Sequence, residues 1–470
     1  MIGLLGTLNL AARSLQTQQA GVAVTGQNLA NVNTPGYARQ VLDISSSPDL
    51  LTPIGPEGTG ADAAAIENIR SNILDQQVAT EKSVTGSLTA QQQALQMAET
   101  ALGESLTSST GSSGSTSSQG LSQGLSNLFN AFQSISSNPS DPSQRQSLVS
   151  TASGLASQFN QINQGLSGLR NSLNQTLQSN VSQANQDLSD IAQLNSQIVL
   201  QQQSTPGSAN DLKNALQQKI EALSGLVKIS TSTDSNGTVN VSIGGVSFVT
   251  EMTQNDHLAL ADAGGGQLLV QPQSSGAALS LTGGAIEGTI QARDGGLATL
   301  QSQLDRLASN LITQVNAAYA PGFSSNGNTG GAFFTGNSAA NIAVDASLMA
   351  NPNLLQTSGT SGNAGDNAVV LAIAQMGTQA QSSLGNQSFS QSYSGTVAEL
   401  GSAISSVNDQ LTTQQSVANL LSTQQNSVSG VSLNDEMTNL TKYQQAFQAS
   451  ADVVSTVNQM LTTLINMKTG

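Results

Sequence analysis

The stretch Leu433–Met467, LNDEMTNLTKYQQAFQASADVVSTVNQMLTTLINM, decides the fold class. Leu440, Phe447, Val454 and Leu461 recur every seven residues, and Tyr443, Val457 and Leu464 stand three positions further on. This is a coiled-coil seam, interrupted at Ser450. At 1.5 Å per residue such a helix is about 50 Å long, and a narrow apolar stripe of that length needs a partner. The partner is expected at the other end of the chain, where Leu4, Leu8, Ala11, Leu15, Val22 and Leu29 form a stripe with mostly a seven-residue repeat, weak at Gln18 and Thr25. The expected assembly seam is therefore Leu8, Leu15, Val22 and Leu29 with Leu440, Tyr443, Phe447, Val454, Val457, Leu461 and Leu464. A core within one molecule is the plainer reading of the C-terminal stripe; a seam shared with other copies is the preferred one.

The N-terminal helix is expected to stop at Asn31-Val32-Asn33-Thr34-Pro35-Gly36-Tyr37. Asparagines tolerate left-handed geometry, a residue before proline is pushed to extended conformation, and Pro-Gly suits a type II turn. Residues 41 to about 60 then read as extended or irregular, and a second helix is expected from near Ala61 through Ile66, Ile69, Ile73, Leu88, Leu95 and Leu102. Residues 107–120, almost purely Ser, Thr and Gly, read as a flexible loop. Helical periodicity resumes from Leu121 to Gln203 with a break at Asn138-Pro139-Ser140-Asp141-Pro142, and a short helix follows Asp211.

Near Val227 the period changes to two. Val227–Thr231, an Asp234-Ser235-Asn236-Gly237 turn and Thr238–Ile243 alternate like a hairpin, so Ile229 to Thr282 is expected to be a self-contained β-rich outer module. Helix returns from Ala285 through Val315 to Pro321-Gly322, and again from Val397 to Val417 before Ser429-Gly430. The chain as a whole reads as mainly α: long terminal coiled-coil helices (1–45 and 430–470), an elongated helical bundle (46–228 and 285–429) and a small β-rich inserted domain (229–284).

Composition narrows the function. Of the 470 residues only 9% are charged and 3% aromatic, which favours narrow apolar seams over a thick core anchored by rings. A net charge of −15 and a pI near 4.2 give no electrostatic surface for nucleic acid or anionic lipid. With no cysteine and a single histidine, His257, neither a thiolate metal site nor a Ser-His-Asp triad has its material. The glycine run 264–266 lacks the Lys-Ser/Thr of a phosphate cradle, and Asp435-Glu436 reads as a helix N-terminal dipole feature. No catalytic residue, cofactor or metal site is expected, and no enzyme. Neither a cleavable signal peptide nor an apolar run of membrane-spanning length is expected from the sequence.

Two motifs carry a resemblance. Asn28-Leu29-Ala30-Asn31-Val32-Asn33-Thr34-Pro35-Gly36-Tyr37 resembles the signature of the axial proteins of the flagellar rod, hook and hook–filament junction. The segments 429–436 and Tyr443–Ala451 resemble the matching C-terminal motif. Between them, Asn138–Pro142 with Arg145-Gln146, Asn210–Lys213, Gly283–Gly288, Ala317-Ala318-Tyr319 and Gly365-Asp366-Asn367 resemble the hook-associated branch of that family. The resemblance implies a secreted structural subunit that joins hook to filament as a ring or tubular homo-oligomer. It also implies type III export, a chaperone on the C-terminal helix, and hook protein and the second junction protein as neighbours. It makes Asn28, Asn31, Asn33, Thr34, Pro35, Gly36 and Tyr37 the axial motif and turn. An outer β domain often follows the Phe-Phe found here as Phe333-Phe334, and is expected to be missing or vestigial. The alternative function is an adhesin or host-binding surface on the β-rich insertion, which would need an exposed apolar or aromatic patch there; Phe248 is the one aromatic in that stretch.

Overall fold

The computed structural model describes residues 3–52, 55–103, 120–204 and 208–469; of the expected 107–120 loop, all but Gly120 lies outside them. Helix α1 (Leu4–Ala30) leads through the 31–37 turn into β1 (Gln40–Ser46), a short hairpin of β2 (Leu50–Thr52) and β3 (Gly55–Glu57), and β4 (Ala61–Asn68). Strands β1 and β4 pair antiparallel, Gln40 opposite Asn68, with a bulge between Asp43 and Ile44. The expected helix start near Ala61 is thus corrected to Asn72. Residues 61–68 are alanine-rich and favour helix locally, but the ladder to β1 and the cover of α1 override that preference. Nor is 41–60 merely irregular, since it holds β1 to β3.

Four helices follow: α2 (Asn72–Leu102), α3 (Leu121–Ser137), α4 (Pro142–Ser204) and α5 (Asn210–Leu226). The 63 residues of α4 reach about 95 Å at 1.5 Å per residue, and this helix is the spine of the body. Its first half, through Leu148, Leu155, Phe159, Leu166 and Leu173, belongs to one apolar core with the C-terminal part of α2 and with α3. Its second half, through Leu177, Val181, Leu188, Ile191 and Ile198, belongs to a second core.

The second core contains the β-rich insertion. Strands β5 (Ile229–Thr233), β6 (Val239–Ile243), β7 (Val246–Thr250) and β8 (Thr253–Gln254) form a four-stranded meander, and β9 (Leu258–Gly264) pairs with β10 (Gln267–Pro272). Expected to be self-contained, the strands instead share their core with α4 and α5: Val241, Ile243, Phe248 and Val249 are buried with Leu188, Leu216 and Leu223. A four-stranded sheet with one apolar face cannot bury that face alone.

Two asparagines of α4 complete the docking by acting as surrogate peptide groups. Asn195 donates to Val239 O at 2.8 Å and accepts from Val239 N at 3.1 Å. Asn185 does the same with Leu258, at 2.8 Å both ways.

Helix α6 (Ala285–Gln291) passes through a π-helical turn, 292–297, into α7 (Ala298–Tyr319). The interruption holds Arg293, whose guanidinium is fully buried against Asp294 and also donates to Asn174 and to Leu268 O. Strands β11 (Phe334–Thr335) and β12 (Ala343–Val344) pair directly at the site of the outer domain expected to be missing. Then come α8 (Ala346–Ala350), α9 (Ala368–Met376), α10 (Phe389–Ser429) and α11 (Leu433–Thr469). The scarce rings are pooled in the first core: Phe333 lies 5.1 Å from Phe132, 5.5 Å from Tyr319 and 4.8 Å from Phe334, centroid to centroid. A thin composition therefore still yields one aromatic anchor, which ties α3 and α7 to the β11 strand.

Candidate functional site: the junction of the terminal helices

Helices α1 and α11 pack against each other in opposite directions. Ser14 and Ser450 share a hydroxyl hydrogen bond of 2.8 Å, Gly21 lies against the Tyr443 ring, and Asn28 donates to Glu436 Oε2 at 3.1 Å. Positions 14, 21 and 28 thus meet 450, 443 and 436, a step of seven on each helix, and Val457 is buried one step further along α11. The line of closest approach is built from small and polar residues, because two helix axes come nearest where Cβ volume is least.

The large residues of the expected seam stand mostly beside this line. Leu8, Leu15, Val22 and Leu29 are half-buried, one position beyond that line. On α11, Tyr443 and Val457 lie in it and Leu440, Val454 and Leu461 flank it half-buried; Phe447, on the same flank, is 40% exposed, and Leu464, one step of seven beyond Val457, is 58% exposed. Ser450, an apparent interruption, is a contact.

At the end of the pair lies the turn. Tyr37 N donates to Thr34 O at 3.2 Å across Pro35 and Gly36, with Gly36 at φ +74°, as a type II turn requires. Thr34 Oγ1 donates to Asn31 Oδ1 at 3.1 Å, and Asn33, Thr34 and Pro35 are exposed.

Asn28 is the hub. Its side-chain amide pairs with the Gln40 peptide, donating to the carbonyl at 2.8 Å and accepting from the N–H at 2.9 Å. It also accepts from the Tyr37 hydroxyl at 3.0 Å. Glu436, 2% exposed, receives Arg39 Nε at 2.8 Å besides Asn28. One buried carboxylate of α11 therefore holds both the end of α1 and the strand that follows the turn. Burial, and then the charges of Asp211 and Glu436, push the Tyr37 hydroxyl up to about 12, so it stays protonated and remains the donor that Asn28 needs.

Sequence reading missed Glu436 and Asp211 as partners and missed Arg39, Gln40, Asn214 and Gln218 altogether. Glu436 was legible only as a dipole feature because a buried role depends on what faces it. Among the described residues no group of acidic, histidine or cysteine side chains is arranged to hold a metal ion, and no helix is long and apolar enough to cross a membrane.

Apolar side chains of α11 remain exposed, among them Leu433, Met437, Phe447, Val453, Met460, Leu464 and Met467. Amide exchange on the free full-length chain is therefore expected to be slow from Glu436 to Val457, along the contacts with α1, and faster towards the C-terminal end of α11. Uniform protection along α11 would show that the pairing extends further than these contacts.

Comparisons with known proteins agree with this geometry. Residues 112–334 match the family model of the FlgK helical domain of flagellar hook-associated protein, residues 423–467 that of the flagellar basal body rod FlgEFG protein C-terminal region, and residues 8–37 that of the flagella basal body rod protein. The chain is 27% identical to flagellar hook-associated protein 1 of Bacillus subtilis (strain 168) over 98% of its own length and 97% of the relative's. A segment covering 18% of the chain and 15% of the relative is 39% identical to flagellar hook-associated protein 1 of Salmonella typhimurium. In fold, the flagellar hook junction protein FlgK from Burkholderia pseudomallei superposes with a TM-score of 0.65 at 17% identity, covering 75% of this chain and 100% of that one. Rod-type models at both ends, the hook-associated helical domain between them and a relative matched end to end show a chain similar along its length to flagellar hook-associated protein 1, a structural protein of the hook–filament junction of the bacterial flagellum.

Proposed function

We propose that copies of this chain polymerise through their terminal helices into a short ring or tubular zone between hook and filament, with no catalytic role. The observation that carries this is the α1–α11 pair, which closes its inner line with Ser14, Gly21 and Asn28 against α11 and leaves much of the apolar surface of α11 uncovered. Burial of such surface is worth roughly 25 cal/mol per Å², and its exposure along a coiled-coil-like pair marks a contact with other chains. In this reading Leu8, Leu15, Val22 and Leu29 with Leu440, Tyr443, Phe447, Val454, Val457, Leu461 and Leu464 are the assembly seam, shared between the intramolecular pair and its neighbours. The divisions 1–45 with 430–470, 46–228 with 285–429, and 229–284 serve as axial, body and outer domains. Hook protein and the second junction protein are the proposed neighbours, with type III export and a chaperone on α11 before assembly. Nothing observed favours the adhesin alternative, and Phe248, the aromatic it would use, is buried.

Deleting the chain tests the function: electron microscopy of the deletion strain is expected to show hooks without filaments. Filaments of normal length on those hooks would refute it.

The turn has its own test. Alanine at Gly36 would be strained at φ +74°, and its Cβ would meet Gln218 Nε2 at 2.8 Å. Loss of Pro35 frees Thr34 to continue the helix. The Pro35→Ala/Gly36→Ala chain is expected to be exported and to keep the melting temperature of its body, while the cells shed filaments or lose motility. Wild-type swimming would show that the turn is only a surface loop.

A further inference from the structure

Four polar residues between the start and the middle of α5 lie along the side of that helix that meets the turn and the β1–β4 ribbon. Gln218 Nε2 donates to Pro35 O at 2.8 Å. Asp211 accepts from Gln40 Nε2 at 3.3 Å. Asn210 donates to Ile66 O at 2.7 Å and its carbonyl accepts from Asn68 Nδ2 at 3.1 Å. Asn214 Oδ1 accepts from Asn68 Nδ2 at 3.2 Å and from Arg70 Nη2 at 3.1 Å, and the same Arg70 nitrogen donates to Gly36 O at 2.8 Å. Spacings of one, four and eight residues along a helix keep such groups on adjoining sides.

Apolar contacts are non-directional and let two bodies slide, whereas a hydrogen bond weakens steeply away from its axis. A joint made of several such bonds, aimed at backbone carbonyls on one side, therefore fixes an angle as well as a distance. We infer that Asn210, Asp211, Asn214 and Gln218 are positioning residues that set the direction in which the terminal helix pair leaves the body. Asn214 shows the logic: it is buried, its oxygen holds two donors, and its Nδ2 has no partner, so the joint uses it purely as an acceptor. Arg70 relays that anchor to the Gly36 carbonyl, and Asp75 lies 3.6 Å from the same guanidinium. The inference deepens the assembly reading, in which a fixed exit direction lets copies stack in register, but its test is read on the free chain and succeeds or fails apart from that reading.

The chain contains no cysteine, so Ser45→Cys in β1 and Ser189→Cys in α4, both exposed, give a unique pair of spin labels across the joint. Double electron–electron resonance on the otherwise unaltered full-length chain is expected to give one narrow distance distribution. Adding Asn214→Leu with Gln218→Leu should widen it at least twofold, while Asn214→Asp alone, which keeps the acceptor, should leave it narrow. A second label pair within the body, Ser172→Cys in α4 and Ser230→Cys in β5, should stay narrow in every variant. An unchanged width across the joint in the double leucine variant overturns the inference. So does equal broadening within the body, which would make these residues general supports of the fold, and so does broadening by Asn214→Asp.

Discussion

Replacing Asn28 with leucine is expected to detach the terminal helices from the rest of the molecule. Leucine nearly matches the volume, so packing is kept, but the Gln40 peptide loses both its partners, and Tyr37 and Glu436 lose one each. Each buried polar group left unsatisfied costs about 1–3 kcal/mol, and the carboxylate is the worst placed to bear it. A loss of about 3 kcal/mol or more is expected in the stability of the terminal unit. In a denaturant titration followed by amide exchange, α1 and α11 should lose protection well before α4, whose cores are untouched. Asn28→Asp should be no better, because a carboxylate cannot donate to Gln40 O and would face Glu436. Coincident unfolding of α11 and α4 at the wild-type midpoint would show that Asn28 is not the hub.

Gly21→Leu is expected to have the second largest effect, and in the sense opposite to helix propensity. In an isolated helix, replacing glycine by a better helix former gains about 1 kcal/mol. Here a Cβ at Gly21 would lie 2.6 Å from two Tyr443 ring carbons, and the remaining leucine atoms would have to occupy the ring itself. Overpacking of this kind costs about 1–3 kcal/mol when the neighbours can shift, and α11 can shift by leaving α1. Loss of exchange protection in α11 and loss of motility should follow together. Tyr443→Ala in the same chain should restore part of both, since it vacates the volume the leucine needs. Failure of that second change to restore any protection would mean that the two helices do not meet at this pair.

The helices were readable because Leu, Ile and Phe recur with helical period and because Pro-Gly and Asn-Pro mark their ends. The line along which α1 and α11 meet was not, since pattern reading selects Leu15 and Val22 while the axes approach at Ser14 and Gly21, where there is little side chain to notice. Strand β4 was hidden for a related reason: Ala61 to Ala65 carries helical propensity, and only the pairing to β1 makes it extended. Asparagine was the other silent signal. Asn28, Asn185 and Asn195 each pair with one strand peptide through both ends of the side-chain amide, and Asn316 holds the 333–334 backbone in a similar way. These residues supply docking between helix and strand in a chain with few rings, yet polarity and turn preference are all that a sequence shows of them.

The central claim, assembly through the exposed apolar side chains of α11, is tested most directly by changing some of them while keeping the contacts that pair α11 with α1. Phe447→Gln, Met460→Gln and Leu464→Gln remove apolar surface from exposed positions and leave Ser450, Tyr443, Glu436 and the hub intact. In a strain whose own copy is deleted, this variant should be recovered from the medium as folded monomer, while electron microscopy shows hooks bare of filament. Full-length filaments on those hooks, with the variant seated at the junction, would contradict the account.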